Sequence, residues 1–298
     1  MSFLFDLLKL PLFILLEVYY LIFRCRPKKD IKNQHILITG AGQGIGKEFA
    51  RQFAAMGNTV HCVDIEEKLV QNVVEDLKGK GHHAYSYTCN LTKYEQVQKL
   101  YDDIADAGFV INILINNAGV AFGRSIQEMT LTQIQHSMTV NSVAPLWLIK
   151  LFLPKMIELN EGHVVNISSL LGLFVIRRST DYCAAKAGSI HAMNQLRLDH
   201  IWTNIKFTAI CPFFVATKMT AGLEANALIK LTPETLVTKA IRAIRENKET
   251  LLLPGWFKIV KIIMDFTPSY LLTSLFKNNY QPSNASNFEG QRMSEKVK

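Results

Sequence analysis

With 298 residues, 49% of them hydrophobic, the chain can bury the core of one large domain, and no Pro/Ser/Gly-rich linker or internal repeat divides residues 34–253. The formal net charge of +8 falls in separate clusters (Arg24, Arg26, Lys28 and Lys29; 177–178; along 239–261), which argues against a nucleic-acid groove and suits an anionic membrane surface. Five cysteines (Cys25, Cys62, Cys89, Cys183, Cys211) lack metal-ligand spacing, so no metal is expected, and they read as reduced, mostly buried thiols of a cytosol-facing domain.

The first element is the run from Phe3 to Phe23, closed by "RCRPKK". A cleaved signal peptide has its basic residues before the apolar stretch, the reverse of the order here. Asp6, Lys9, Glu17 and Arg24 fall within an arc of roughly 80° on a helical wheel, as in a segment lying in a membrane interface. Residues 1–28 are therefore expected to form a membrane anchor with a basic flank; a helix packed on the domain is the alternative.

From residue 34 onward, strand and helix signals alternate. Strands are expected at "HILIT" (35–39), "NTVHCVD" (58–64), "HAYSYTCN" (83–90), "INILINNAG" (111–119), "GHVVNISS" (162–169), "IKFTAICP" (205–212) and "ETLLLP" (249–254), with helical stretches between them. Apolar strands alternating with helices predict an α/β fold, a doubly wound parallel sheet of seven strands flanked by helices, over 34–255. Residues 256–298 read as an amphipathic extension and a polar tail. Its part 255–276, "GWFKIVKIIMDFTPSYLLTSLF", suits an interfacial helix or lid, or else a helix that completes the fold.

Between the first strand and its helix lies "TGAGQGIG" (39–46). Such a turn lets the backbone approach a pyrophosphate while the helix N-terminus presents unpaired N–H groups. The spacing is Thr39-Gly40-x-x-x-Gly44-x-Gly46, looser than G-x-G-x-x-G, and a turn needing glycine for backbone reasons alone is the competing reading.

Four motifs in chain order now coincide: the glycine loop, "NNAG" (116–119), "ISS" (167–169) with Ser169 thirteen residues before Tyr182, and Tyr182-Cys-Ala-Ala-Lys186. Together they resemble the short-chain dehydrogenase/reductase family over residues 34–255. The resemblance implies a Rossmann-type fold and a catalytic tetrad of Asn141, Ser169, Tyr182 and Lys186. It also implies cofactor contacts from Gly40, Gly44, Ile45, Gly46, Asp64, Asn90, Asn117, Ala118, Gly119, Tyr182, Lys186 and Thr217, with "NNAG" beside the adenine side. Asn90 stands where many members carry aspartate, and Phe213 replaces a common glycine in "CPFFVATKM". Phe213 either adds apolar bulk near the substrate or packs in the core.

The chemistry of these residue types agrees. Removing a hydride from a carbinol carbon requires a base at its oxygen, and a phenol serves once its pKa, about 10 unperturbed, is lowered. Lys186, one helical turn on, is expected to lower it, and Ser169 is expected to hold the substrate oxygen; the resemblance implies that Asn141 anchors a water linking the lysine to solvent. Asp64, closing the second strand, is suited to ribose hydroxyls and repels a 2′-phosphate, so NAD is the expected cofactor.

Apolar walls ("LLGLFVI", 170–176, and the stretch from Phe213) with the anchor suggest a lipophilic alcohol drawn from lipid. The pattern is similar to the family's membrane-bound retinol dehydrogenases and lipid-droplet 17β-hydroxysteroid dehydrogenases. The expectation is an NAD-dependent dehydrogenase of retinol-like alcohols on the endoplasmic reticulum or lipid droplets, its catalytic domain facing the cytosol. Oxidation of a steroid 17β-hydroxyl, or a recruiting role with little catalysis, are the alternatives. The resemblance also implies a homodimer through helices around 125–158 and 181–200.

Overall fold

The computed structural model describes residues 28–220, 230–268, 270–271 and 274. The expected anchor, except for Lys28, and the polar tail beyond Asn278 lie outside the described residues.

Seven parallel strands form one sheet: β1 (His35–Thr39), β2 (Thr59–Asp64), β3 (Ala84–Thr88), β4 (Ile113–Asn116), β5 (His163–Ile167), β6 (Lys206–Pro212) and β9 (Thr250–Leu253), in spatial order β3-β2-β1-β4-β5-β6-β9. A two-stranded parallel pair, β7 (Phe214–Val215) and β8 (Lys230–Leu231), stands beside it. All seven expected strands are present; β1 has the expected bounds and the other six are one to five residues shorter, because their flanking residues turn into loops. β1 is paired on both sides, Ile36 with Val60 and with Ile113, so its side chains are buried on both faces.

Helices α1 (Gly44–Ala55), α2 (Glu67–Gly79) and α7 (Pro233–Arg245) cover one face, where Phe49, Phe53, Val70, Val74, Leu236 and Ile241 pack against β1 and β2. On the other face α3 (Tyr94–Asp106), α5 (Ala144–Leu159) and α6 (Thr180–Asp199) bury Val97, Leu148, Phe152 and Met193. Each such side chain contributes about 1.5–3 kcal/mol relative to exposure. The short helix α4 (Leu131–Met138) runs into α5 through a π-helical turn, Thr139–Val143. The continuous run Leu131–Leu159 has the length and apolarity of a membrane span, but 50% of its most apolar window is buried inside the domain, as in a core helix. A final helix, α8 (Phe257–Phe266), follows β9.

Strand order reverses beside β1: the chain runs outward to β3, then crosses back to β4 on the other side. The crevice at the carboxyl ends of β1 and β4 is therefore the topological switch point, where ligands of open α/β sheets bind.

Toward the amino ends of the strands, buried polar groups satisfy one another. Lys29 Nζ donates to His163 Nδ1 (3.0 Å), His163 Nε2 donates to Thr208 Oγ1 (2.8 Å), and that hydroxyl donates to the Lys248 carbonyl (2.6 Å), a chain only one histidine tautomer permits. On β2, His61 lies between His35 Nδ1 (3.0 Å) and the Tyr87 hydroxyl (3.1 Å). Burial, with His35 alongside, pushes His61 down to about 3, and burial drives His163 well below the ordinary histidine range, so both imidazoles are neutral at pH 7.

Candidate active site

The glycine loop is held from both sides. Thr39 Oγ1 accepts the backbone N–H groups of Asn117 and Ala118 (both 3.0 Å), and Asn117 Nδ2 donates to the carbonyls of Thr39 (2.8 Å) and Gly40 (3.2 Å). The ends of β1 and β4 are thereby stitched together where the crevice opens. A Cβ on Gly46 would stand 2.0 Å from the Gly40 carbonyl oxygen, so only glycine lets α1 start this close behind the loop.

At the end of β2 the Asp64 carboxylate accepts the Gly42 N–H on Oδ2 (2.9 Å) and the Glu66 N–H on Oδ1 (3.0 Å). A Cβ on Gly42 would meet that Oδ2 at 2.9 Å and Leu69 Cβ at 2.9 Å. Gly42 and Asp64 thus require each other, and the carboxylate is fixed at the cleft wall with its remaining lone pairs available to a ligand.

A cleft of about 720 Å³ opens here, lined among others by Gly40, Gly42, Gly44, Ile45, Asp64, Asn90, Asn117, Ala118, Gly119 and Thr217. Nine expected cofactor contacts therefore share one cavity, while Gly46 lies behind the loop. Gly42, Phe122 and His136 also line it. Sequence reasoning passed over these three: Gly42 lies inside the motif and its role shows only through Asp64, and neither Phe122 nor His136 belongs to a spacing pattern. Asn90 Oδ1 accepts from the backbone N–H (3.0 Å) and hydroxyl (2.7 Å) of Thr92, a local turn that fixes this wall.

The four expected catalytic residues stand together beyond Gly119. Ser169, at the end of β5, caps a 3₁₀ turn; its Oγ accepts the Leu171 N–H (3.1 Å) and lies 3.4 Å from the Pro212 carbonyl. Tyr182 and Lys186 lie one turn apart on α6, with Lys186 Nζ 5.6 Å from the Tyr182 ring centroid. Lys186 Nζ is buried and donates to the Ile167 carbonyl (2.8 Å), and Ser168 Oγ donates to the Lys186 carbonyl (3.0 Å). Asn141 sits in the π-helical turn, its Nδ2 donating to the carbonyls of Val120 (2.8 Å) and Ser137 (2.9 Å) and its Oδ1 accepting the Val120 N–H (3.2 Å).

Gly119 joins the two halves of the site. A Cβ there would come 3.0 Å from Asn141 Oδ1 and 3.6 Å from Lys186 Nζ, so any side chain would fill the gap between amide and ammonium. "NNAG" therefore lines the cleft together with Asp64 and Asn90 and reaches the catalytic group at Gly119, because β4 runs between β1 and β5.

One electrostatic expectation is corrected. Burial pushes the Tyr182 phenol up to about 12, with a hydrogen bond to Ser169 pulling it the other way. Burial also pushes Lys186 down to about 8. The spacing places the lysine on the correct face of α6, but its ammonium points at the Ile167 carbonyl and does not bring the phenol below its ordinary value. Just before Tyr182, Asp181 is buried, and neither of its carboxylate oxygens has a hydrogen-bond partner among the described residues.

Apolar residues roof the reacting end. Phe213 stacks near Phe214 (ring centroids 4.4 Å apart) and Phe257 (5.1 Å), and Phe174 lies 5.6 Å from Phe257. Phe213 follows Pro212, whose carbonyl touches Ser169, so it both packs in the core and borders the site. The other sequence signals remain structural. Cys62, Cys89, Cys183 and Cys211 are buried free thiols, and among the described residues no cluster of metal-ligating side chains occurs. Asn166, in a glycosylation-type triplet, is buried between Asn116 Nδ2 (2.9 Å) and Ser189 Oγ (3.1 Å).

A family profile described as short chain dehydrogenase matches residues 34–228. Human epidermal retinol dehydrogenase 2 is 32% identical over 284 residues, covering 93% of this chain and 91% of its own. Retinol dehydrogenase 10-B of Danio rerio is 32% identical over 289 residues, covering 85% of this chain and 84% of its own. Among solved structures, a short chain dehydrogenase/reductase from Burkholderia phymatum in complex with NAD superposes with a TM-score of 0.73 at 23% identity, covering 85% of this chain and 99% of that one. A metagenomic short-chain oxidoreductase in complex with NADP superposes with a TM-score of 0.65 at 23% identity, covering 75% of this chain and 97% of that one.

Proposed function

The chain belongs to the short-chain dehydrogenase family, with retinol dehydrogenases among its relatives, and we propose that it oxidises retinol-like alcohols with NAD. The carrying observation is Gly119, which lines the cleft and whose missing side chain leaves a gap 3.0 Å from Asn141 Oδ1 and 3.6 Å from Lys186 Nζ, with Tyr182 one turn from Lys186 on α6.

The residues fit a dinucleotide: a loop whose glycines leave no room for side chains, a helix N-terminus behind it, and a fixed carboxylate at the end of β2. Asp64 supports NAD over its phosphorylated form, because a 2′-phosphate would face a carboxylate with no opposing guanidinium in the loop. When bound, the nicotinamide ring supplies the acceptor for the hydride leaving the carbinol carbon. Ser169 Oγ orients the alcohol oxygen, and Tyr182 takes its proton. Lys186, anchored on the Ile167 carbonyl (2.8 Å), keeps a buried ammonium 5.6 Å from the Tyr182 ring centroid, and Asn141 fixes the turn that holds the wall opposite the lysine. With the phenol high, the base form of Tyr182 becomes scarcer as pH falls, so alcohol oxidation is favoured by alkaline conditions.

The apolar roof and the names of the relatives support a lipophilic alcohol. We place the enzyme on a membrane or lipid-droplet surface through residues 1–28, with the domain in the cytosol. The test is a panel of all-trans-retinol, a 17β-hydroxysteroid and a short water-soluble alcohol, each with NAD and NADP. Retinol turnover favouring NAD is expected. Steroid turnover alone would replace the substrate, and a preference for NADP would overturn the role given to Asp64.

A further inference from the structure

We infer that the outer face of α8 is a lipid-docking surface, laid on a membrane at the mouth of the active site, through which an apolar alcohol reaches the cleft without crossing water. The entry route rests on the reading of the substrate above; the docking surface does not.

At about 100° per residue, α8 and the residue before it divide into three faces. Phe257, Val260 and Met264 form the inner face, where Phe257 meets Phe174 and Phe213 over the site. Lys258, Lys261 and Asp265 form a charged stripe, with Lys261 paired to Asp265 (2.5 Å). The third face spans an arc of roughly 120° and is wholly apolar. Its exposures are large: Trp256 49%, Ile259 63%, Ile262 58%, Ile263 60% and Phe266 85%. A soluble surface scatters such residues singly, whereas a contiguous strip rimmed by polar residues marks an interaction site.

The chain's other described end fixes which way this strip faces. Lys29, at the edge of the basic flank, donates its N–H to the Arg245 carbonyl (2.8 Å) and accepts from Arg245 Nε (3.4 Å). Arg245 ends α7, just ahead of the amino end of β9, and α8 begins just past the carboxyl end of that strand. β9 is the edge strand of the sheet and spans about 13 Å. The polypeptide arriving from residues 1–28 and the apolar face of α8 thus occupy the two ends of one edge. Lys239, Arg242, Arg245 and Lys248, offset in part by Glu246, which pairs with both Arg242 (2.7 Å) and Lys248 (2.8 Å), leave a net positive charge along it. An apolar strip with a cationic border matches hydrocarbon beneath anionic headgroups. A second copy would set the same cations against each other in a chain carrying +8.

The test uses the full chain with Trp147→Phe and Trp202→Phe, leaving Trp256 as the sole tryptophan, bound to phosphatidylcholine–phosphatidylserine vesicles with brominated acyl chains. Trp256 fluorescence is expected to fall by about half or more relative to unbrominated vesicles, and Ile262→Asp with Phe266→Asp is expected to restore it. The same pair is expected to raise KM for retinol about tenfold while leaving oxidation of a water-soluble alcohol unchanged. Unquenched Trp256 in vesicle-bound protein overturns the proposal. So does a shift from dimer to monomer in the aspartate variant with quenching unchanged, since the strip would then join two copies. Quenching needs no turnover, so failure on retinol would overturn the substrate and leave the docking surface standing.

Discussion

The two ends of the sheet treat buried polarity in opposite ways. At the amino ends, Lys29, His163, Thr208 and Lys248 form one continuous run, and His35, His61 and Tyr87 another, both ring nitrogens of His61 and of His163 meeting a partner within 3.1 Å. At the carboxyl ends burial disfavours the charged forms of both Tyr182 and Lys186, and neither carboxylate oxygen of Asp181 has a hydrogen-bond partner among the described residues. A satisfied network stabilises the fold, while a group with capacity left over in a cleft can act on something that arrives. The contrast separates what holds the molecule together from what reacts.

Breaking the upper end should stop turnover and leave the fold intact. Tyr182→Phe is expected to lower kcat about a thousandfold, with an unchanged midpoint in thermal unfolding. Breaking the lower end should do the reverse, and acid does it without mutation. An unfolded histidine gains its proton as pH falls through about 6.5, while His61 in the fold resists until about 3. Stability present above pH 6.5 is therefore lost progressively below it, down to about pH 3, by about 3 kcal/mol from this residue at pH 4.5; urea midpoints at pH 7 and pH 4.5 measure the loss. His163→Leu removes the centre of the other run and leaves the Lys29 ammonium without its acceptor, while the Thr208 hydroxyl keeps its bond to the Lys248 carbonyl. A stability cost of about 3 kcal/mol is expected with kcat unchanged.

Smaller effects sharpen the division within the upper end. Asp64→Ala should weaken NAD about tenfold and raise the relative use of NADP, read as a ratio of KM values. Arg178 forms a two-pronged pair with Glu128 (2.9 and 2.6 Å) across the mouth, but the two side chains remain 37% and 45% exposed. Arg178→Ala should therefore change stability by less than about 1 kcal/mol.

Much of this was legible in residue order. Apolar runs in a parallel sheet are buried on both faces, so "HILIT" and "GHVVNISS" announce β1 and β5 to within two residues. Asp64 was readable because it closes a strand; Gly42 was not, because its necessity comes from a carboxylate that lies 22 positions away. The π-helical turn that holds Asn141 leaves no trace in "MTVNSVAP", since its i→i+5 pattern depends on tertiary packing, here against α6. The phenol misled for a related reason. Spacing places Lys186 one turn from Tyr182, but only the fold reveals the Ile167 carbonyl that draws its ammonium away. For 255–276 the buried Phe257 agrees with a helix that completes the fold, while the outward-facing Ile262 leaves the interfacial reading to the vesicle experiment.

The most direct test of the central claim follows NADH formation from all-trans-retinol by membranes carrying this chain, with Tyr182→Phe beside it. The account predicts turnover with NAD exceeding that with NADP, rising with pH above neutrality and lost in the phenylalanine variant. Equal turnover by the variant would contradict it, because no other described group at the Gly119 gap could then be credited with taking the proton.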